Sequence, residues 1–527
     1  MSSYQKRSVS VFTVMVSVML ICVFRVVSVA TDTSLQEVAL KQSTRRVDIA
    51  NARGKVYDCN GEDLTDCTET EVSVVFPSDN ASVFLAEMLS GEELQSALNK
   101  IRQGQTVTVY GKTPETEGDW VSFSMPNRYS GSLTHILGYC DSSGHGVAGI
   151  EKEFDNVLFS DKSYSVGYTV DSHGKMLSGI EPSVSIPENS NSVILTIDKR
   201  IQTVLEEAMA EITAGAAVVT DSKTGEIKAL VSMPSYSVDN LEEALKQETS
   251  PFINRASYAY NVGSVFKPLV AAVGLENGMA DYRYTCTGSI TVGELTFKCN
   301  RSSGHGEVGL SEALAVSCNT YFYTLAEKLG AEKIYDMVKA FRFGEETDCN
   351  GGVVSQKGSV PPLKKLQSSP AELTNLSIGQ GDLLLSPIAL SMMYSAIVNG
   401  GEYHIPYIVK SVENDGVYQR NSPSPPTRVF SYSTSFLLKH YLKNALQNGT
   451  GSAAFIEGIS SGGKTGTAQT GWKDGDRSVL NGWFCGYYEG EATDYTIVIL
   501  KEDVKSGSTD CAPIFKSFIE KILDLGL

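Results

Sequence analysis

From Val9 to Phe24 the chain is mostly apolar, and after Arg25 a second short apolar stretch runs to Ala30. Lying behind Lys6 and Arg7, that run predicts a membrane-crossing segment whose N-terminus stays in the cytoplasm. It falls short of the roughly 20 residues that span a hydrocarbon core, so an anchor requires Arg25 to snorkel toward the outer interface. The competing reading is a cleaved signal peptide, since Ser28-Val29-Ala30 puts small residues at the two positions that govern cleavage. Either way, the chain beyond about residue 31 is expected outside the cytoplasm.

Between Asp48 and Ser190 the pattern is polar, with short β-like runs such as Val72-Ser-Val-Val-Phe76 and Thr106-Val-Thr-Val-Tyr110 and a helical period over 92–102. This predicts a β-rich pedestal module. The turn-rich stretch 181–192 (Glu181-Pro-Ser-Val-Ser-Ile-Pro-Glu-Asn-Ser-Asn-Ser192) reads as a linker. Three segments follow from these patterns: 1–30 as cytoplasmic tip and anchor or signal peptide, 31–190 as the N-terminal module, and 191–527 as a second, larger domain. In the last, a strand at 193–197 precedes a helix capped by Asp198 and running to about Ile212. Strands at 216–220 and 226–231 form a hairpin over Lys223-Thr-Gly225. Helices are predicted at 267–277, 311–329, 386–399, 433–447 and 513–525, with strands at 464–470, 482–488 and 494–501. Strands at both ends with helices between them predict an α+β fold, one antiparallel sheet covered by helices.

Composition narrows the chemistry. With 527 residues the chain exceeds one ordinary domain, and 42% hydrophobic content is that of packed protein. A net charge of −17 without a local basic stripe argues against nucleic-acid binding. The 6 histidines form no HExxH pair and the 10 cysteines no CxxC, so neither a zinc enzyme nor a thioredoxin-like protein is expected. Cys286 and Cys299 flank a predicted hairpin at 288–297, where either a disulfide or two free thiols fit the sequence. His305, between two glycines, reads as a turn residue rather than a base.

Three short motifs stand in order: Ser264-Val-Phe-Lys267, Ser317-Cys-Asn319 and Lys464-Thr-Gly466. Ser-x-x-Lys occurs elsewhere in the chain, so the context decides. Gly263 precedes Ser264 and an apolar run follows Lys267, which places the serine at the opening of a helix with Lys267 on the same face one turn on. A helix N-terminus supplies free N–H groups, and a neutral lysine there is able to deprotonate a serine.

These motifs, in this order, resemble the class B penicillin-binding proteins, the membrane-anchored D,D-transpeptidases of peptidoglycan synthesis. Arg53-Gly-Lys-Val-Tyr-Asp-Cys-Asn-Gly61, His135-Ile-Leu-Gly-Tyr139, Gly149-Ile-Glu151, Thr196-Ile-Asp198, Gly304-His-Gly306, Ile378-Gly-Gln-Gly381, Gly449-Thr-Gly451 and Trp483-Phe484 are similar to further segments of that family in the same order. Val262 and Val265 stand where the family commonly has proline and threonine.

The resemblance implies a penicillin-binding/serine β-lactamase-like domain behind a pedestal and an anchor, with no cofactor and no metal. It implies Ser264 as nucleophile on the penultimate D-Ala carbonyl of a stem peptide and Lys267 as general base, its pKa lowered by burial and by Lys464. Ser317 relays the proton to the leaving amine and Asn319 holds the substrate amide. Lys464, Thr465, Gly466 and Thr467 bind the substrate, and the N–H groups of Ser264 and Thr467 form the oxyanion hole. Implied partners are peptidoglycan stem peptides, β-lactams, the plasma membrane and a polytopic glycosyltransferase. The alternatives are a D,D-carboxypeptidase or serine β-lactamase, which pass the acyl group to water, and a penicillin-sensing or scaffold protein.

Overall fold

The computed structural model describes residues 2–34, 43–65, 68–127, 133–177 and 179–527. Its first element is one helix, Ser3–Thr31, with no buried residue. At 1.5 Å per residue it is about 43 Å long, more than the roughly 30 Å of a hydrocarbon core. Arg25 does not interrupt it. Among the described residues it is the one helix long and apolar enough to cross a membrane.

The chain divides into two compact units. The smaller comprises residues 1–52, 68–127 and 160–188. It holds a three-stranded sheet (Thr44–Arg53, Phe159–Thr169, Ser183–Ser185) and a second one in which Thr68–Val75 lies between Val107–Tyr110 and Trp120–Asn127. Helices Ala81–Met88 and Gly91–Arg102 belong to it. Part of the predicted linker is thus a strand: Val184 pairs with Val166 and packs on the cluster of Val72, Val74 and Phe76, because the Ser-Val-Ser alternation presents one apolar side chain to that core.

The larger unit comprises 53–67, 128–159 and 189–527. Segments 53–67 and 128–159 lie before the linker in sequence, yet they pack here for two reasons. Lys55–Tyr57 pairs in parallel with residues 192–194 of the strand Ser192–Leu195. Arg53, 5% exposed, donates to Glu151, 3% exposed, at 2.6 Å, and to Asp155 at 2.7 Å. Two segments singled out in the sequence, Arg53-Gly-Lys and Gly149-Ile-Glu, meet in this buried ion pair.

The centre of the larger unit is a five-stranded antiparallel sheet in the order Ile227–Met233, Gly215–Asp221, Asp494–Lys501, Arg477–Glu489 and Ser461–Asp474. The strand period of two sorts its side chains. Ile497, Ile499 and Phe484 face a core built with helices Lys199–Met209 and Ala512–Asp524, whereas Val498, Leu500, Trp483 and Cys485 face one that includes helix Pro387–Val398. Both faces are covered at the centre, so Gly215–Asp221 and Asp494–Lys501 are buried along nearly their whole length instead of alternating. This is the α+β architecture expected, with one difference. The single helix predicted over 311–329 is two, Leu310–Ala315 and Asn319–Leu329, broken where Ser317 takes φ +55°.

Candidate active site

Ser264 stands in a single 3-10 turn, Gly263–Phe266, that runs directly into helix Lys267–Glu276. In a 3-10 turn, side chains at i and i+3 eclipse, so Ser264 and Lys267 stack along one line. Gly263 allows this entry at φ +63°, and its N–H donates to Gly379 O at 2.8 Å. Any side chain at Gly379 would put Cβ 2.1 Å from Gly263 O. The Tyr394 hydroxyl donates to Val265 O at 2.9 Å, which further pins the turn.

Lys267 is fully buried. Its amine donates to Ser317 O at 2.9 Å, Ser317 Oγ at 3.0 Å and Asn319 Oδ1 at 2.7 Å, and lies 5.5 Å from the centre of the Phe322 ring. No hydrogen bond joins it to Ser264. Burial pushes its pKa down to about 7, against a smaller opposing influence from Cys318 and Cys299. The repulsion expected from Lys464 falls the other way. Lys464 is held well below the ordinary lysine range, first by its own burial and then by the charge of Lys267.

Ser317 and Asn319 reach Lys267 because the chain turns sharply between two helices. Cys318 N–H donates to Ala313 O at 2.8 Å, closing the first helix, and Cys318 then stands at the N-cap of the second. Left-handed backbone at a non-glycine residue such as Ser317 is strained and is tolerated where its surroundings fix it.

Lys464, Thr465, Gly466 and Thr467 lie on Ser461–Asp474, an edge strand of the sheet. Its inner side pairs Lys464 with Cys485 and Gly466 with Trp483. Its outer side packs on the Ser264 turn: a Cβ on Gly466 would lie 2.9 Å from Val265 Cγ1, and one on Gly263 would lie 2.9 Å from Thr467 O. The buried Lys464 amine donates to Thr465 O at 2.9 Å and Thr450 Oγ1 at 3.4 Å. Thr465 Oγ1 bonds Thr450 Oγ1 at 2.9 Å and accepts from Ser508 Oγ at 3.3 Å, and Thr467 Oγ1 accepts from Gly507 N–H at 3.1 Å. Thr450 was legible in sequence only as part of Gly-Thr-Gly, and Ser508 not at all, since both meet the strand through tertiary contact.

Cys286 and Cys299 are free thiols, not a disulfide. The hairpin they flank is present, with Ser289–Val292 paired to Leu295–Lys298. His305 and Cys318 join them in one cluster whose ligand atoms all lie within 4.8 Å of one another.

Such an arrangement, a serine at a helix opening with a buried lysine one turn on beside a lysine-threonine edge strand, defines a serine acyl-transfer protein. The sequence matches the penicillin binding protein transpeptidase domain over residues 215–520, and the chain belongs to that family, as a class B penicillin-binding protein. It is 28% identical to stage V sporulation protein D of Bacillus subtilis over 94% of this chain and 81% of that protein. It is 24% identical to the peptidoglycan D,D-transpeptidase MrdA of Acinetobacter baumannii over 89% of this chain and 80% of that protein. Its fold is that of penicillin-binding protein 3 from Mycobacterium tuberculosis complexed with aztreonam, with a TM-score of 0.67 and 24% identity over 91% of this chain and 97% of that one.

Proposed function

We propose that the chain is a membrane-anchored D,D-transpeptidase that cross-links peptidoglycan through an acyl-enzyme on Ser264 and binds β-lactams covalently at the same oxygen. One observation carries the reading: the amine of Lys267, buried and pushed down to about 7, stands one turn from a serine whose own turn packs on the Lys464–Thr467 strand. A pKa near 7 makes a useful fraction of neutral amine available as a base. Lys267 turns from its Ser317 and Asn319 acceptors to take the Ser264 proton as Oγ attacks the penultimate D-Ala carbonyl carbon. The C–N bond to the terminal D-Ala then breaks, and Ser317 passes the proton from Lys267 to the departing amine. Attack by an amino group of a neighbouring stem peptide releases Ser264 and leaves an amide cross-link.

The Lys464 site fits the substrate's terminal carboxylate. A buried lysine that is short of counter-charge gains it when a carboxylate arrives, so binding and protonation of Lys464 reinforce each other. Hydroxyls of Thr465 and Thr467 add donors, and Asn319 aligns the amide. An edge strand leaves alternate backbone N–H groups unpaired on its outer side, where the Thr467 N–H and the Ser264 N–H stabilise charge on the attacked oxygen.

Helix Ser3–Thr31 anchors the protein in the plasma membrane with residues after 31 outside the cytoplasm, the N-terminal unit acting as pedestal. A polytopic glycosyltransferase that makes glycan strands supplies the substrate for cross-linking.

The test is fluorescent penicillin labelling of wild type and Ser264→Ala, with mass spectrometry of the labelled peptide. The reading expects a rapid burst on the peptide carrying Ser264, slow release, and no label in the variant. Fast penicillin turnover points to a hydrolase, and retained label in Ser264→Ala removes Ser264 as nucleophile.

A further inference from the structure

We propose that Ser508 is a further substrate-binding residue of this site, a hydroxyl that takes one oxygen of the terminal carboxylate while Thr465 takes the other. The identity of the substrate here rests on the transpeptidase reading. Four polar groups stand in one hydrogen-bonded line. Ser508 Oγ donates to Thr465 Oγ1 at 3.3 Å, Thr465 Oγ1 donates to Thr450 Oγ1 at 2.9 Å, and the Lys464 amine donates to Thr450 Oγ1 at 3.4 Å. Lys464 and Thr465 are buried, whereas Thr450 and Ser508 are half-buried. At its Ser508 end the line is therefore open to solvent.

Local structure fixes Ser508 in that place. Its turn follows the sheet strand Asp494–Lys501 and forms the short helix Gly507–Asp510. Gly507 lies directly on the sheet: a Cβ there would stand 2.1 Å from Gly466 O and 2.4 Å from Trp483 O, and its N–H donates to Thr467 Oγ1 at 3.1 Å. Ser506 caps the turn by accepting from Thr509 N–H at 3.2 Å. Asp510 accepts from Ser506 N–H at 3.2 Å and from the Lys501 amine at 3.3 Å. Ser508 follows Gly507 directly, so its hydroxyl is placed against the Lys464–Thr467 strand before any substrate arrives. A donor fixed in advance costs less ordering entropy on binding.

A hydroxyl carries one proton, and an ionised carboxylate has none to give. In the free protein Ser508 gives its proton to Thr465, and Thr465 passes its own to Thr450. With a carboxylate beside Thr465 the line reverses. Thr450 donates to Thr465, Thr465 to one carboxylate oxygen and Ser508 to the other, while the Lys464 amine keeps Thr450 as acceptor and supplies the opposite charge. Every donor keeps an acceptor, and only hydrogen bonds change. A hydrogen bond to a charged acceptor is stronger than one between neutral hydroxyls, so the carboxylate favours the reversed line. A neutral carboxamide in the same place gains less, so Ser508 sharpens the preference for a free carboxyl terminus.

The experiment compares wild type, Ser508→Ala and Ser508→Thr, as the full chain in detergent, on the benzoyl-D-alanyl thioester of thioglycolate and on the carboxamide of that thioester. For Ser508→Ala, kcat/KM on the carboxylate substrate is expected to fall about tenfold, mainly through KM, which is the size of one hydrogen bond to a charged acceptor. The carboxamide should lose about threefold at most. Ser508→Thr keeps a hydroxyl and should restore most of the loss. Equal loss on the two substrates marks a structural role and overturns the proposal, as does no loss on either. NMR titration of Ser264→Ala and of Ser264→Ala/Ser508→Ala with an acyl-D-Ala-D-Ala peptide reads the same contact without turnover. A Kd about tenfold weaker in the double variant is expected, and an unchanged Kd overturns the contact. Wild type that neither cleaves the thioester nor takes a penicillin label overturns the functional reading, and the titration then decides alone whether Ser508 holds a carboxylate; a peptide that Ser264→Ala does not bind overturns both.

Discussion

The amine of Lys267 and the hydroxyl of Ser317 are 3.0 Å apart inside the protein, the first on a helix that Ser264 opens and the second on a left-handed turn 50 residues later. Neither position is comfortable alone: the lysine is buried away from water and the serine carries backbone strain. Each supplies what the other lacks, a hydrogen-bond acceptor for the amine and a fixed partner for the turn.

Acylation by a β-lactam is expected to follow the neutral form of Lys267. Burial lowers this amine from the ordinary 10.5 to about 7, so below pH 7 it is protonated and unable to accept the Ser264 proton. The second-order acylation rate should fall about tenfold per pH unit below that point and level off above it. A stopped-flow pH profile checks this, and a flat profile from pH 5 to 8 rules out Lys267 as the base. Lys267→Met should lower the rate on the plateau above pH 7 by about 10²–10⁴ and abolish the fall below it.

Ser317→Gly and Ser317→Ala both lose the hydroxyl, yet they should differ in stability. At φ +55° alanine suffers the steric cost of the left-handed region, about 1 kcal/mol, and glycine does not. Glycine is therefore expected to be the more stable variant, against its usual ranking. Denaturant midpoints of the two proteins test it.

Gly466→Ala should act through the nucleophile turn. The new methyl would stand 2.9 Å from Val265 Cγ1 and push the Ser264 turn off the edge strand. Misplacement of reacting groups by about 1 Å costs on the order of 10²-fold in rate. The double variant with Val265→Ala, which removes the obstructing atom, should recover most of the loss. Acylation rates of the two singles and the double measure the coupling.

Glu151→Ala should destabilise the larger unit by about 3 kcal/mol, since it leaves Arg53 buried with Asp155 as its remaining acidic partner. Urea unfolding of wild type, Glu151→Ala, Arg53→Met and the double variant gives the coupling. A double variant as stable as wild type is compatible with the pair. A Glu151→Ala protein of unchanged stability is not.

Much of the fold was visible in hydrophobic period. Helices at 267–276, 387–398, 432–448 and 512–524 and the strands of the main sheet lie within a few residues of where the pattern predicts them. Buried faces repeat at the period of the element that carries them, and that rule is local. The break in 311–329 was not visible, because Ala-Val-Ser-Cys-Asn is compatible with a helix and the break comes from what Ser317 and Cys318 meet in three dimensions.

By itself the sequence determined the apolar helix at the N-terminus, the order of the three motifs, the family, and the residue types available for acyl transfer. All of these are written in stretches short enough for neighbouring residues to define. Tertiary structure alone decided that Lys267 turns to Ser317 and Asn319, that Thr450 and Ser508 join the Lys464 strand, that Arg53 meets Glu151, and that Cys286, Cys299, His305 and Cys318 converge beside the Ser317–Asn319 turn. Burial and distance depend on how separate segments close on one another, and no local window of the chain contains that information.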